Sequence, residues 1–359
     1  MALSVGLVGM PNVGKSTLLN ALSNVHAEAA NYPFCTIDKN VGMVEVPDEP
    51  LKRLNDSLHP EECVPSSIQI VDIAGLVKGA SRGEGLGNKF LGHIRAVDAI
   101  AHVVRCFDDP GVIHVDGSVD PLRDIEVVDT ELALADLESA ERTLDRDRKT
   151  HTDSARKRAA VLEKIVEGLD RGIPIRSLGI SSDELDLVRD HSFLTAKPVL
   201  YVANTDATDF TDLPPSVTML IDRFGPTSVM PINAKLECEL IELPEEDRLV
   251  LMQEMGLEVP GIVGLVRRLF ELLGLVNFYT IANNKLRAWK VVRGTKAAQA
   301  AGMIHSDMER GFIRAEIAKV DDVVKYGAFS ELRKIGLVRS EGRDYVIQPE
   351  DVVHILFSE

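Results

Sequence analysis

Cysteine is scarce in this sequence, with four residues in 359, and none belongs to a C-x-x-C pair or lies near a pair of histidines. This spacing argues against a disulfide framework and a zinc site, and it is typical of free thiols in a reducing compartment. The four are Cys35, Cys63, Cys106 and Cys238. No apolar run approaches the ~18 residues of a membrane-spanning helix, and no leader pattern opens the chain. We therefore expect a cytoplasmic protein with no membrane partner.

Positive charge is also in short supply, because 40 lysines and arginines face 56 aspartates and glutamates, for a net charge of −16. Such a chain is not a general nucleic-acid coat, although a local basic patch is compatible with this total. The hydrophobic content of 45% is that of an ordinary globular protein. The length predicts about two or three domains, and a monomer is our default expectation.

The clearest motif is residues 9–16, which match G-x-x-x-x-G-K-S. The apolar run Leu3–Val8 predicts a buried strand before it, and residues 17–22 have helical spacing, which is the context of a phosphate-binding loop. In such a loop, backbone N–H groups and the helix N-terminus surround the phosphates. The lysine neutralises the β- and γ-phosphates and the serine holds Mg²⁺. The predicted nucleotide-binding residues are Asn12, Val13, Gly14, Lys15, Ser16 and Thr17, with Lys15 also catalytic and Ser16 also a metal ligand.

A second motif, D-I-A-G at residues 72–75, ends the predicted strand Ser67–Asp72. Asp72 there reaches Mg²⁺ through water, and the N–H of Gly75 meets the γ-phosphate. Between the two motifs, Thr36 offers a second Mg²⁺ ligand. Leu76 stands where many GTPases carry a glutamine that orients the attacking water. The sequence therefore predicts that another residue positions this water.

The loop that recognises the base is expected after the predicted strand Pro198–Ala203. It reads N-T-D-A at residues 204–207, whereas guanine-specific proteins carry N-K-x-D, so strict guanine specificity is disfavoured. Asn204, with Thr205, remains in place to hydrogen-bond a purine. Residues 232–235 resemble the S-A-K loop of GTPases, and the stem of Lys235 is suited to pack on the purine face. The alternative for Lys235 is a plain surface lysine.

The pattern of strands and helices predicts an α/β fold with a parallel-type sheet and right-handed crossovers. A third strand is predicted at Ala99–Arg105. Residues 124–193 are mostly helical and favour an inserted antiparallel hairpin. The alternative is two ordinary helices packed on the sheet. The predicted seam of the first helix consists of Val127, Thr130, Leu134, Leu137 and Leu144.

After Gly274 the character changes to that of a small α+β domain. Its predicted elements are the strands Asn277–Ile281, Leu286–Val291, Phe312–Ile317, Asp344–Ile347 and Val352–Phe357 and a short helix from Ala297 to Met303. A basic window around an aromatic ring favours RNA contact. It consists of Arg287, Trp289, Lys290, Arg293 and Lys296. The alternative is an edge strand protected by charge.

With these motifs aligned, the chain resembles the YchF/Obg-like ATPase family, a branch of the P-loop NTPases, essentially from end to end. The resemblance is carried by residues 9–17, 31–37, 71–81, 102–107, 125–127, 130–137 and 311–315. It implies an OBG-type G domain (1–123 and 194–275), an inserted helical coiled-coil hairpin (124–193) and a TGS domain of β-grasp fold (276–359). It also implies Mg²⁺-dependent hydrolysis of ATP, weaker use of GTP, and association with the ribosome and its RNA.

The resemblance also implies two roles for single residues. His114 would position the attacking water, since members of the family carry a hydrophobic residue in place of the glutamine. Asn12 matches a position linked to K⁺ in related NTPases. One departure is Ala207, which stands where the family usually has the glutamate of N-x-x-E. Two alternatives to an ATPase remain, namely a nucleotide-gated ribosome-binding switch with negligible turnover and a GTP-preferring enzyme.

Overall fold

The computed structural model describes residues 3–24, 41–73, 86–112, 114, 117–327 and 329–358. The predicted ligand Thr36 and the predicted catalytic Gly75 lie outside these residues. The strands are β1 Ser4–Val8, β2 Val41–Glu45, β3 Glu62–Val64, β4 Ser67–Asp72, β5 Ala99–Arg105, β6 Val199–Asn204, β7 Val229–Ile232, β8 Leu275–Ala282, β9 Lys285–Val292, β10 Phe312–Lys319, β11 Arg339–Glu341 and β12 Asp351–Phe357.

The other regular elements include α-helices. They are α1 Lys15–Asn24, α2 Glu49–Leu58, α3 Leu86–Ala96, α4 Pro121–Arg148, α5 Asp153–Asp170, α6 Ser182–Asp186, α7 Pro215–Phe224, α8 Ala234–Glu242, α9 Glu245–Glu254, α10 Gly261–Leu272, α11 Ala297–Ile304, α12 Ser306–Arg310, α13 Val320–Tyr326 and α14 Phe329–Lys334. Among the described residues, no helix has the length and apolar character that crossing a membrane requires. The chain divides into two compact units, Met1–Met43 with Gln69–Leu265, and Val44–Ile68 with Val266–Glu359.

The first sheet has the strand order β2-β4-β1-β5-β6-β7. The four pairs from β4 through β7 are parallel, which confirms the predicted α/β fold with a parallel-type sheet. Strands β1 and β5 are buried along their whole length, as expected for central strands with both faces covered. The carboxyl ends of parallel strands lie at one edge of the sheet, where such folds bind ligands.

Helices α4 and α5 occupy the segment for which a hairpin is predicted, but the predicted seam is wrong in its first half. Thr130 and Leu134 are exposed, and Ile125 is buried instead, in a cluster with residues of β5, β6 and α7. Only the second half of α4 faces α5, where Leu144 packs with Ile165. The first half of α4 therefore packs on the sheet, so each of the two alternatives for this segment describes one part of it.

The second sheet has the order β11-β10-β12-β8-β9-β3. It is mixed, because β8 pairs with β9 and β10 with β12 in antiparallel fashion, whereas β12 and β8 are parallel. The predicted strand Asp344–Ile347 is wrong, since Val346 makes only an isolated bridge to Lys296. A turn closed by Tyr345 N and Gly342 O interrupts the chain there, and β11 pairs with β10 instead.

Residues 44–68 are grouped with the carboxyl-terminal unit, although the sequence places them in the first domain. Strand β3 pairs in parallel with the start of β9, and Leu54 of α2 is fully buried in a cluster with Leu286. Asp48 caps α2 and accepts a hydrogen bond of 2.7 Å from the hydroxyl of Tyr279. These contacts join residues more than 200 positions apart, which local sequence patterns do not reveal.

Candidate functional site

The loop between β1 and α1 has the conformation of an anion cradle. Asn12 and Gly14 adopt positive φ angles of 60° and 98°, and Leu18 N donates to Gly14 O at 2.9 Å, which closes the first turn of α1. A Cβ at Gly14 would collide with the side-chain nitrogen of Asn204. Glycine is therefore required twice over at this position, for its φ angle and for its close neighbour.

Lys15 folds back over this loop. Its side chain is almost entirely buried, and its Nζ donates to Gly9 O at 2.9 Å and to Met10 O at 2.8 Å. Burial lowers the pKa of Lys15 to about 8, and the nearby charge of Asp72 opposes this shift. The ammonium is thus held by two backbone carbonyls at the centre of the loop, ready to exchange them for a stronger anionic partner.

Asp72 lies at the carboxyl end of β4, in register with Leu7 of β1. Its Oδ1 atom is buried and has no hydrogen-bond partner in the described part of the chain. Ser16 is exposed on the first turn of α1. A carboxylate and a hydroxyl are the oxygen ligands that Mg²⁺ prefers, directly or through water. No cluster of three or more His, Cys, Asp or Glu residues that could hold a metal ion occurs within the described residues.

The loop after β6 is joined to the phosphate loop by Asn204. Its Nδ2 donates to Val13 O at 2.9 Å, and its Oδ1 accepts from Ala234 N at 3.1 Å. Thr205 is buried, and its Oγ1 accepts from Ala207 N at 3.2 Å. Asn204 therefore links three loops in this structure, a role that the sequence did not indicate.

A cavity of about 650 Å³ opens beside these loops, within the usual size of small-molecule sites. It is lined by Gly14, Thr17, Phe107, Asp108, Asp109, Pro110, Val112, Asn204, Thr205, Asp206, Thr208, Asn233, Ala234, Lys235, Leu236 and Glu239. The fold thus brings Gly14 and Thr17 of the predicted phosphate loop to one cavity with the predicted base-loop residues Asn204, Thr205 and Lys235. The other predicted phosphate-loop residues, Asn12, Val13, Lys15 and Ser16, are not among its lining residues. Lys235 is a surface residue there, with 86% of its side chain exposed.

Sequence reasoning missed the wall of this cavity that residues 107–112 form. The signal was available, since Phe107 follows the carboxyl end of a predicted strand, where ligands bind in α/β folds. Asn233 was also missed, although it lies in the predicted S-A-K-like loop. Its Nδ2 donates to Ala207 O at 3.2 Å, and its Oδ1 caps α8 by accepting from Leu236 N.

His114 is not among the residues that line the cavity, and it pairs with a carboxylate that sequence reasoning missed. Its Nε2 lies 2.9 Å from Oδ2 of Asp124, and both side chains are buried. Asp124 sits in the first turn of α4, behind the N-cap Asp120, and Arg123 Nη2 lies 3.5 Å from its other oxygen. The Asp124 carboxylate therefore holds the ring of His114 in one orientation.

The basic window of the carboxyl-terminal unit is partly engaged within the protein. Lys290 donates to the carbonyl of Ser67, and Lys296 Nζ lies 2.7 Å from Asp344 Oδ1. The exposed Arg287 stacks on the ring of Trp289, 4.2 Å from its centroid. Strand β9 lies between β8 and β3, but β3 pairs only with Lys285–Arg287. The edge-strand alternative is therefore wrong for Arg287 and still describes the part of β9 at Trp289 and Lys290, with which β3 makes no pair.

Two family models match the chain. Residues 4–153 match the model MMR_HSR1, described as a 50S ribosome-binding GTPase, and residues 275–358 match YchF-GTPase_C, described as a protein of unknown function. The chain is 44% identical over 367 residues to the ribosome-binding ATPase YchF of Bacillus subtilis, and 44% identical over 363 residues to that of Haemophilus ducreyi. Each alignment covers 100% of both proteins.

A solved structure is similar over the same extent. The Schizosaccharomyces pombe YchF GTPase matches with a TM-score of 0.89 at 36% identity, over 99% of this chain and 98% of that one. The likeness therefore covers both compact units, including the segment of residues 44–68 that belongs to the second.

Proposed function

This chain belongs to the YchF family, and on that basis we propose that it is a ribosome-associated P-loop NTPase that hydrolyses ATP, and GTP more weakly, as a nucleotide-dependent switch. The single observation that carries the proposal is the cavity that joins a phosphate-binding loop to a base loop with Ala207 at its fourth position. The relatives named ribosome-binding ATPases support the same activity. The family likeness also supports a domain organisation of G domain, helical hairpin and TGS domain.

Lys15 and the backbone of residues 12–17 act at the phosphate end. The ammonium of Lys15 leaves the carbonyls of Gly9 and Met10 for the β- and γ-phosphates, where it neutralises the charge that develops as the terminal phosphoryl group is transferred. The first turn of α1 adds its N–H groups and its partial positive charge. The N–H of Gly75 is proposed to meet the γ-phosphate.

A divalent cation is expected for any P-loop NTPase, and we propose Mg²⁺, held by Ser16, Thr36 and Asp72. When bound, the cation would neutralise the negative charge of the phosphates. Among the described residues, the buried Oδ1 of Asp72 has no hydrogen-bond partner. This supports the set, because a buried carboxylate oxygen otherwise lacks compensation. For Asn12 we propose a contact with K⁺, which equal hydrolysis rates in K⁺ and Na⁺ would exclude.

His114 is proposed to orient the attacking water in place of the missing glutamine. The carboxylate of Asp124 fixes the ring and stabilises positive charge on it. The pairing of 2.9 Å between the two side chains supports this assignment.

The base is proposed to lie among the cavity residues. The ring of Phe107 offers it an apolar face, and the stem of Lys235 is proposed to cover the other. Asn204 and Thr205 hold the base loop in its conformation, because the side chain of Asn204 donates to Val13 O and the hydroxyl of Thr205 accepts from Ala207 N. Adenine is favoured because position 207 has no carboxylate to pair with N1 and N2 of guanine.

The ribosome is the proposed partner, and RNA its proposed contact. Among the residues of the basic window, Arg287, Arg293 and Lys296 are exposed. The stacked pair of Arg287 and Trp289 suits an unpaired base. Binding through such a patch should weaken as salt increases. We propose that the protein acts as a monomer in the cytoplasm.

The test of this function is a titration of the purified protein with ATP and with GTP in MgCl₂, followed by turnover assays with and without ribosomes. Tighter binding of ATP and Mg²⁺-dependent turnover that EDTA abolishes are expected. Absence of binding would overturn the proposal. Binding of ATP without turnover, even with ribosomes, would favour the switch without hydrolysis, and tighter binding of GTP would favour a GTPase.

Replacing Ala207 with aspartate should shift the preference toward GTP by about tenfold, because a bidentate pair with a base is worth about 1–3 kcal/mol. The measurement is the ratio of the dissociation constants for ATP and GTP. Ala207→Asn is the matched control, since its amide has the same shape but cannot accept from both guanine donors. An unchanged ratio in Ala207→Asp would show that this side chain does not face the base.

The affinity for Mg²⁺–ATP should fall as the pH rises above about 8, because Lys15 loses its proton near that value in the nucleotide-free protein. The folded pKa lies below the ordinary value of 10.5, so the unfolded chain binds more protons between these limits. The nucleotide-free protein should therefore become more stable across this window. Calorimetric titration from pH 7 to 10 measures the affinity. In Lys15→Arg, whose guanidinium stays charged, an equally steep fall would contradict the assignment.

A further inference from the structure

Arg105, the last residue of β5, is buried to 1% exposure. Its guanidinium donates from Nε to Phe107 O at 3.2 Å, from Nη1 to Val112 O at 2.9 Å and from Nη2 to Asp109 O at 3.3 Å. It also lies 4.6 Å from the centroid of the Phe107 ring. All three of its described hydrogen bonds therefore go to main-chain carbonyls of one loop, and the ring of that loop covers the same cation.

A buried cation is costly unless its donors are satisfied. Arg105 obtains its acceptors only when the carbonyls at positions 107, 109 and 112 converge on it, so its burial selects one conformation of the loop. The loop is closed on itself as well, since Gly111 N donates to Asp109 Oδ1 at 2.8 Å and Val112 N to Asp109 O at 3.0 Å. The fork of fixed donors on a guanidinium suits this task, and a lysine ammonium does not.

The same loop forms one wall of the cavity, through the side chains of residues 107–110 and 112. Arg105 pairs in the sheet with Asn204, which belongs to another wall, and Cys106 N donates to Asn204 O at 2.8 Å. Arg105 thus lies where β5 and β6 end side by side. The two loops that follow these strands form two walls of the cavity.

We propose that Arg105 is a positioning residue for nucleotide binding, which fixes the loop of residues 107–112 as the wall that packs against the base. The inference rests on the proposed function, because it requires a purine nucleotide in this cavity. Arg105 acts through the loop and does not touch the nucleotide. Arg105 should therefore affect binding of the base and leave binding of the phosphates unchanged. The phosphate loop is held separately, by the hydrogen bond from Asn204 to Val13 O and by the first turn of α1.

The test compares Arg105→Lys with the wild type by calorimetric titration of two probes, Mg²⁺–ATP and Mg²⁺–tripolyphosphate, which carries the phosphates without the base. We expect the dissociation constant of ATP to rise about tenfold, a loss of about 1.4 kcal/mol, and that of tripolyphosphate to change less than about twofold. Arg176→Lys is the matched control, because Arg176 also donates to a main-chain carbonyl, that of Thr195, but lines a different cavity. It should leave both constants unchanged.

Equal losses for both probes would overturn the proposal, since they indicate a general structural role, and so would unchanged binding of ATP. Should Arg105→Lys not fold, Asp109→Ala loosens the same loop from its exposed side and is expected to give the same loss confined to ATP. Unchanged binding of ATP in that variant would equally overturn the proposal. Failure of the wild type to bind ATP is a different result, which contradicts the proposed function itself.

Discussion

Lys15→Met should lower ATP turnover by about 10²–10³-fold, the loss that follows removal of one preorganised group at a transition-state charge. Its Nζ is held by the carbonyls of Gly9 and Met10, and its unbranched stem passes through a buried environment that methionine can fill. The nucleotide phosphates then lose the cation that is proposed to neutralise their charge. Single-turnover hydrolysis of ATP in MgCl₂ measures the effect, and ATP titration separates binding from chemistry.

The folding of Lys15→Met is expected to be intact. Burial lowers the pKa of Lys15, so the charged form is penalised in the nucleotide-free protein and its removal should not lower the melting temperature at pH 7. Lys164→Met is the control, because Lys164 is exposed on α5 and pairs with Glu184 at 2.5 Å. Turnover within threefold of the wild type in Lys15→Met would contradict the role of Lys15.

His114→Ala has the second large expected effect, a fall in turnover of about 10²–10⁴-fold, which is the usual contribution of a positioned acid–base group. The Michaelis constant for ATP should change little, because His114 does not line the cavity of the described residues. A steady-state comparison of turnover and Michaelis constant checks both expectations. Unchanged basal hydrolysis would show that the proposed role of His114 is wrong.

Asp124→Asn distinguishes catalysis from support of the fold. The amide keeps the shape of the carboxylate but loses the charge that fixes the ring of His114, so turnover should fall while the melting temperature changes less than in His114→Ala. The loss of turnover in the double variant His114→Ala with Asp124→Asn should be close to that in His114→Ala alone, because the effects of substitutions at residues that act as a unit do not add. His191→Ala is the control, since His191 contacts Ser139 and Phe193 away from the site.

Local patterns were sufficient for the elements that carry the phosphate chemistry. The predicted strands Ser67–Asp72 and Ala99–Arg105 coincide with β4 and β5, and Gly14 falls where the backbone turns with a positive φ angle. These features depend on residues within about one turn or one strand of each other, so hydrophobic periodicity and glycine placement report them directly. The strand predicted at Asp344–Ile347 shows where local patterns fail. Its β-branched residues favour a strand, but a turn closed by Tyr345 N and Gly342 O forms there instead.

The sequence by itself thus determined that the chain is an α/β P-loop protein with a nucleotide site, and it predicted which residues meet the phosphates. Only the tertiary structure decided that Asn204 bonds to Val13 across 191 positions, that Asp124 holds His114, that Arg105 organises the wall of residues 107–112, and that residues 44–68 belong to the second unit. The physical reason is that these outcomes depend on which buried polar groups find partners once the chain is packed. Those partners come from separate elements, and no local period or propensity encodes their meeting.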